Sequence, residues 1–244
     1  MAHFDLSLMV LFLSVAVVGS FLGLVVMRDA LLRPQHNRRS LVILAVLCFG
    51  GVGVWSMHFI GLLACDFNGL GANYNAWLTA LSFYVGVGAV YVGLTLMASD
   101  EFGLGHLAGI GNLVGLGIVG MHYLGVLSMR VQAQISWNFW LVAASVVMAI
   151  AAAMMALWLV VHVRQVWQMF FGSVVVGVAL CTMHLIGLFA AGFTFNSGLP
   201  VMRPLVVTMP VFSLTIATLD AVVVVVAIAQ ILAESNKRKF GLPT

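Results

Sequence analysis

The sequence predicts an all-α membrane protein of seven transmembrane helices, built as three parallel helix-pair repeats with an extra N-terminal helix. Three observations predict this class. Hydrophobic residues make up 63% of the 244 and charged residues 7%, where a soluble domain carries about 25% charged. The charges fall in short clusters separated by apolar runs of about 20 residues, the length that crosses ~30 Å of hydrocarbon. One Met-His motif recurs three times at nearly constant spacing. A soluble globular domain is excluded, and the net charge of +3 calls for no nucleic-acid partner.

The spans follow in order from hydropathy and charge. The first, 6–27, starts almost at the N-terminus with no basic segment and no small-residue cleavage site, so it reads as a retained helix rather than a signal peptide. The second, 41–64, follows the basic loop of Arg28, Arg33, Arg38 and Arg39. The third, 76–98, opens at Trp77, and the fourth, 107–128, follows the acidic pair Asp100 and Glu101. The fifth, 139–161, is entered through Trp137 and Trp140, and the sixth, 170–192, through Arg164 and Trp167. The seventh, 205–232, runs from just after Arg203 to the tail of Lys237, Arg238 and Lys239. The tryptophans near span ends read as an interfacial belt, and eight of the ten Lys and Arg residues fall on one side. The positive-inside rule therefore places the N-terminus outside and the C-terminus in the cytoplasm. Connections are short, so residues 1–233 read as one membrane domain and 234–244 as a basic cytoplasmic tail. Cys48, Cys65 and Cys181 are odd in number and two lie within spans, which argues against a disulfide framework.

Three segments align without gaps: Gly51-Val-Gly-Val-Trp-Ser-Met57-His58-Phe59-Ile60-Gly61, Gly115-Leu-Gly-Ile-Val-Gly-Met121-His122-Tyr123-Leu124-Gly125 and Gly177-Val-Ala-Leu-Cys-Thr-Met183-His184-Leu185-Ile186-Gly187. Their histidines are 64 and 62 residues apart. Two crossings return the chain to the same side, so His58, His122 and His184 share one layer, about 10 Å below the outer surface at 1.5 Å per residue. On an α-helix, residue i−7 lies about 20° from i and i+3 is a neighbour one turn on. Gly51, Gly115 and Gly177 are therefore expected on the histidine face, flanked by Gly61, Gly125 and Gly187, leaving room for the imidazoles to approach. The alternative is that these glycines are membrane helix-packing positions, each histidine bonding to a neighbouring helix.

Imidazole with soft thioether favours copper, Cu(I) in particular, whereas zinc and iron more commonly recruit carboxylate or thiolate. The candidate ligands are His58, His122, His184, Met57, Met121 and Met183, for one or two copper ions as Cu(I) or Cu(II). Adjacent Met and His point about 100° apart on a helix, so a histidine cluster with methionine behind it, or two separate sites, is as good a reading as one mixed site. Cys65 and Met129, at i+7, are further candidates at the outer mouth, and His3 lies outside the same layer. Asp220, in the middle of the last span, is an intramembrane carboxylate and a candidate relay group, with Ser82, Ser145 and Ser213 on the third, fifth and seventh spans as candidate polar partners.

The runs Met57-His58-Phe59-Ile60, Met121-His122-Tyr123-Leu124 and Met183-His184-Leu185-Ile186 resemble the MHYT domain, a bacterial seven-helix membrane sensor domain, over nearly the whole chain. The resemblance implies copper held by these Met and His residues near the outer face of the bacterial inner membrane. It also implies sensing of oxygen, carbon monoxide or nitric oxide, with output through cytoplasmic cyclic-di-GMP domains. The third copy has Leu185 and the first Phe59 in the tyrosine position, so Tyr123 alone keeps the phenol. With no such output domain in these residues, the chain reads as a stand-alone member or as one that stops before its output.

The leading expectation is thus a membrane sensor, not an enzyme, that answers a diatomic gas, redox state or copper itself. Its expected partners are the lipid bilayer, a cytoplasmic signalling protein or domain and a second copy as a homodimer. A copper transport or acceptor protein is an alternative, against which stands the inner half of the motif helices, mostly Gly, Val, Leu and Ile. A copper-dependent membrane oxidoreductase is the other, and no second redox group is legible for it.

Overall fold

The apolar runs are seven helices in a computed structural model, which describes residues 3–66, 73–98, 103–195 and 206–239. They are α1 Leu6–Leu31, α2 Arg39–Leu63, α3 Ala76–Met97, α4 Leu104–Ser128, α5 Phe139–His162, α6 Val166–Ala190 and α7 Met209–Lys239. All seven are long and apolar enough to cross a membrane. Arg203, Asp100 and Glu101, used above to delimit spans, lie outside the described residues.

Each of the first three odd-numbered helices starts on a side-chain cap. Asp5 accepts from the Ser7 and Leu8 N–H groups at 2.8 and 3.1 Å. Asn75 accepts from Leu78 N–H at 3.0 Å, and Asn138 from Trp140 and Leu141 N–H at 3.1 and 3.3 Å. These short side chains satisfy amide donors that have no partner in the first turn. The same end of the bundle carries short strands: β1 His3–Phe4, β2 Cys65–Asp66, β3 Asn73–Asn75, β4 Met129–Arg130, β5 Ala133–Trp137, β6 Ala191–Phe195 and β7 Val206–Val207. β1 pairs antiparallel with β2, β3 is flanked by β4 and β7, and β5 pairs with β6, with Tyr74 opposite both Met129 and Val207. The sequence reading treats these stretches as plain connections, because strands of two to five residues are too short to show a period-2 pattern. The seventh helix accordingly begins at Met209 rather than 205, since Val206 and Val207 are paired in a strand.

The first six helices close a ring in chain order, with α6 returning to α1, while α2, α4 and α6 also touch one another inside it. α7 packs outside, against α1 and α2, and is the least buried span, at 17% of its apolar window. Within the ring α1 fills the gap between α6 and α2, the place that α3 and α5 fill between their neighbours, and α7 lies outside it. Small residues allow this. A Cβ on Gly19 of α1 would lie 2.6 Å from the Cα of Gly53 on α2, and one on Gly177 of α6 would lie 2.8 Å from the Val17 side chain of α1.

Within α2, residues Leu47–Ser56 are π-helical and Met57–Leu63 return to α-helix. Such wide turns are rare and gather at functional sites. At the far end of the bundle, away from the strands, the Glu234 carboxylate of α7 accepts from Arg33, in the connection after α1, from Lys237 at 3.3 Å and from Gln230 at 3.3 Å. Arg28 pairs there with Asp29 at 3.1 Å.

Candidate metal centre

The three helices nearest the axis bring the three motif histidines together. His58 Nδ1 lies 3.0 Å from His184 Nδ1 and 3.1 Å from His122 Nδ1. The ring centroids are 4.9, 4.9 and 5.1 Å apart, with planes at 74°, 77° and 90° to one another, a three-bladed propeller with its nitrogens at the hub. All three rings are sealed from solvent, at 1%, 1% and 0% exposure. Counted from the helix ends, they lie about 9 Å beneath the strand cap.

The i+3 glycines hold this arrangement in a closed cycle. A Cβ on Gly125 of α4 would collide with His58 Nε2, one on Gly187 of α6 with His122 Nε2, and one on Gly61 of α2 with His184 Nε2 at 2.5 Å. Each histidine is seated on the glycine of the next motif helix. The i−7 glycines do something else. Gly115 abuts Ile150 of α5, Gly177 abuts Val17 of α1, and a Cβ on Gly51 would meet nothing within 4 Å. The expectation that they clear the histidine face fails because they face the outer helices in two copies, and because the π turn breaks the 100° step in the first.

The donor set fits a metal ion on two counts. Two imidazoles joined Nδ1 to Nδ1 need one proton between them, and His58 faces two partners at once through a single in-plane site. No arrangement of neutral tautomers gives all three nitrogens a good hydrogen bond. Each Nε2 is buried without a partner, so the polar capacity of the rings is not used up by the protein. The ligand nitrogens of all three rings lie within 4.8 Å of one another, so His58, His122 and His184 could hold one ion together. Among the described residues these three histidines are the one His, Cys, Asp or Glu group close enough to share an ion.

The other predicted residues divide. Met57, Met121 and Met183 are buried, at 1%, 0% and 1%, and Met121 lies against Gly86 of α3, so the angular separation of adjacent residues holds there. Cys65 and Met129 are not at i+7 on a continuing helix, because α2 ends at Leu63 and α4 at Ser128. Both enter strands, and the Cys65 thiol donates to Gly61 O at 3.3 Å. Burial pushes that thiol up from 9.0 to about 12. His3 is placed by its backbone opposite Asp66 in β1–β2. Asp220 accepts from Ser56 Oγ at 2.7 Å, which joins α7 to α2 two residues before His58. Of the serines proposed as cross-helix partners, Ser82 accepts from Trp55 Nε1 at 3.1 Å and Ser145 bonds Tyr123 Oη at 2.8 Å, while Ser213 turns back to Met209 O.

Sequence reasoning missed Ser56, Phe12 and Tyr74. Phe12 of α1 packs on His184 with centroids 5.2 Å apart, and Tyr74 is fully buried against Phe59 and Phe212. Ser56 was readable from its place beside Met57. Phe12 was one apolar residue among many, and Tyr74 lay in a polar connection.

The family model MHYT, described as the bacterial signalling protein N terminal repeat, matches residues 51–110 and 115–173. The chain is 32% identical over 152 residues to the bifunctional diguanylate cyclase/cyclic di-GMP phosphodiesterase MucR of Pseudomonas aeruginosa, covering 60% of this chain and 22% of that one. It is 31% identical over 163 residues to the cyclic di-GMP phosphodiesterase NbdA of the same organism, covering 64% and 21%. An uncharacterized signaling protein of Caulobacter vibrioides is 24% identical over 192 residues, covering 79% and 23%. The chain therefore spans less than a quarter of the length of the curated relatives it matches, and no solved structure matches it. With two matched repeats and a third histidine copy completing the same triad, the chain belongs to the MHYT family of bacterial signalling-protein membrane domains.

Proposed function

We propose that this membrane domain is a sensor that holds copper on His58, His122 and His184 and answers a diatomic gas, redox state or copper itself. The observation that carries the reading is the convergence of three Nδ1 atoms whose Nε2 atoms have no partner. Three imidazoles with no carboxylate suit copper better than iron or magnesium, and Met57, Met121 and Met183, one residue before each histidine, are soft donors for a second ion. Bound copper would supply a redox-active centre with an open position for a small ligand. The protein's part is to hold the three rings fixed on Gly61, Gly125 and Gly187, keep water out, and carry a change at His58 through Ser56 and Asp220 to α7. The strand-bearing end faces outward and the Arg33–Glu234 end faces the cytoplasm of a bacterial inner membrane, where α7 leads to a cyclic-di-GMP signalling domain or partner. No catalytic step is assigned to this chain. A copper permease would need donors across the whole bundle, and the positions about one turn below the triad are Val54, Ile118 and Leu180.

The test is elemental analysis of detergent-purified protein, expressed with copper available, beside a variant with His58, His122 and His184 all changed to alanine. Copper near one per chain or above in the parent, and its loss in a variant that stays monodisperse and helical, is the expected result. Folded parent without copper would overturn the reading.

A further inference from the structure

Directly beneath the triad, between α2, α3, α4, α5 and α6, lies a cavity in which the centre of a water-sized particle can range over about 20 Å³. Every residue lining it is apolar and buried. Three of them, Val54, Ile118 and Leu180, each precede a triad histidine by four residues, which places them about one turn, roughly 6 Å, below His58, His122 and His184. They are the same position of the three repeats, so the cavity sits under the hub of the propeller. Its far wall is α5, where Ala152, Ala153 and Ala156 stand in place of larger side chains.

The chemistry of the wall selects what can enter. A buried water needs two to four polar partners, and these side chains provide none. An anion or a polar metabolite would lose its hydration with nothing to replace it. An uncharged, apolar molecule of two or three atoms loses little hydration and gains dispersion contact on all sides, and the space holds one such particle.

We propose that this cavity, whose upper rim lies about one helix turn below the histidine hub, is a docking site for a single small apolar gas molecule. Its signalling meaning rests on the gas-responsive reading of the triad; its existence does not. A docked molecule raises the local concentration of ligand beside the site, and filling or emptying the cavity moves Val54, Ile118 and Leu180 on the same helices that carry the rings.

Xenon is the probe, because it is apolar, chemically inert and independent of any metal. Protein with ¹³C-labelled Val, Ile and Leu methyl groups, in detergent micelles, is titrated with xenon under pressure. The expected result is a saturable shift of the Val54, Ile118 and Leu180 methyl signals, while lipid-facing residues such as Val222 and Leu214 change linearly, as for solvent partitioning. Ala153→Leu, which fills the cavity, abolishes the saturable component. If that variant does not fold, Ala156→Val serves the same purpose with a smaller insertion. Linear shifts alone, or a saturable shift that survives filling, overturn the proposal. Elemental analysis of the same preparation separates the two readings. Saturable xenon binding together with no copper in the parent keeps the cavity and removes the copper site, and copper without saturable xenon does the reverse.

Discussion

The two halves of the bundle are built from the same helices and have opposite character. Toward the strands, α2, α4 and α6 carry three imidazoles, each seated on a glycine, with Tyr74, Phe59, Phe212 and Trp55 packed nearby in edge-to-face and tilted contacts of 4.7 to 6.1 Å. One turn deeper the same helices present only Val, Ile and Leu around a void. The repeat has thus stacked a polar layer, unsatisfied by the protein alone, on an apolar layer that is loosely filled. Burial does not distinguish the two layers, since the residues of both are buried; the difference is whether buried groups still have bonding capacity left.

The strongest way to break this comparison, after removal of the histidines, is to overfill the upper layer. Gly125→Ala places a methyl group into His58 Nε2 and is expected to cost about 1–3 kcal/mol and to lower copper retention. Gly51→Ala, with nothing within 4 Å, is expected to be neutral or stabilising by up to about 1 kcal/mol. Thermal unfolding in detergent checks both, and equal effects would mean that the glycine seats do not position the rings. A smaller loss, about 1 kcal/mol, is expected for Ser56→Ala, which takes the hydrogen bond from Asp220 and loosens α7 from α2. Exchange of the α7 amides for deuterium should rise while the triad still retains copper.

The smallest effect concerns Cys65. Its thiol is raised from 9.0 to about 12 in the folded chain, so the folded state binds more protons than the unfolded one between those values. Its contribution to stability is complete below about pH 9 and is lost as pH rises through about 12. Alkylation of Cys65 by iodoacetamide in folded protein should therefore stay slow through pH 9, and a rate at pH 8 equal to that of the unfolded chain would show that the cap is open.

Most of the fold was legible because a membrane span declares itself by length and apolarity, and the triad because three copies of Met-His lie two crossings apart. The glycine cycle was half legible. Spacing placed Gly61, Gly125 and Gly187 beside the histidines but could not say that each serves the next helix, because contacts between helices have no sequence period. The π turn at Leu47–Ser56 hid Gly51 in the same way, as the angular rule assumes a regular α-helix. Ser56 with Asp220, 164 residues apart, and Phe12 with His184 depend on which helices become neighbours. That order was not in the hydropathy.

The glycine cycle has a consequence for how such a chain can change over generations. His58 rests on the fourth helix, His122 on the sixth and His184 on the second, so no copy of the motif is complete by itself. A descendant that lost one repeat would still be an apolar bundle able to enter a bilayer, but one ring would have no seat and one glycine cleft no occupant. Drift at any of the six positions is felt by a different copy from the one that mutates, which makes substitutions among them non-additive. The heritable unit of this site is therefore the set of three repeats rather than the single motif.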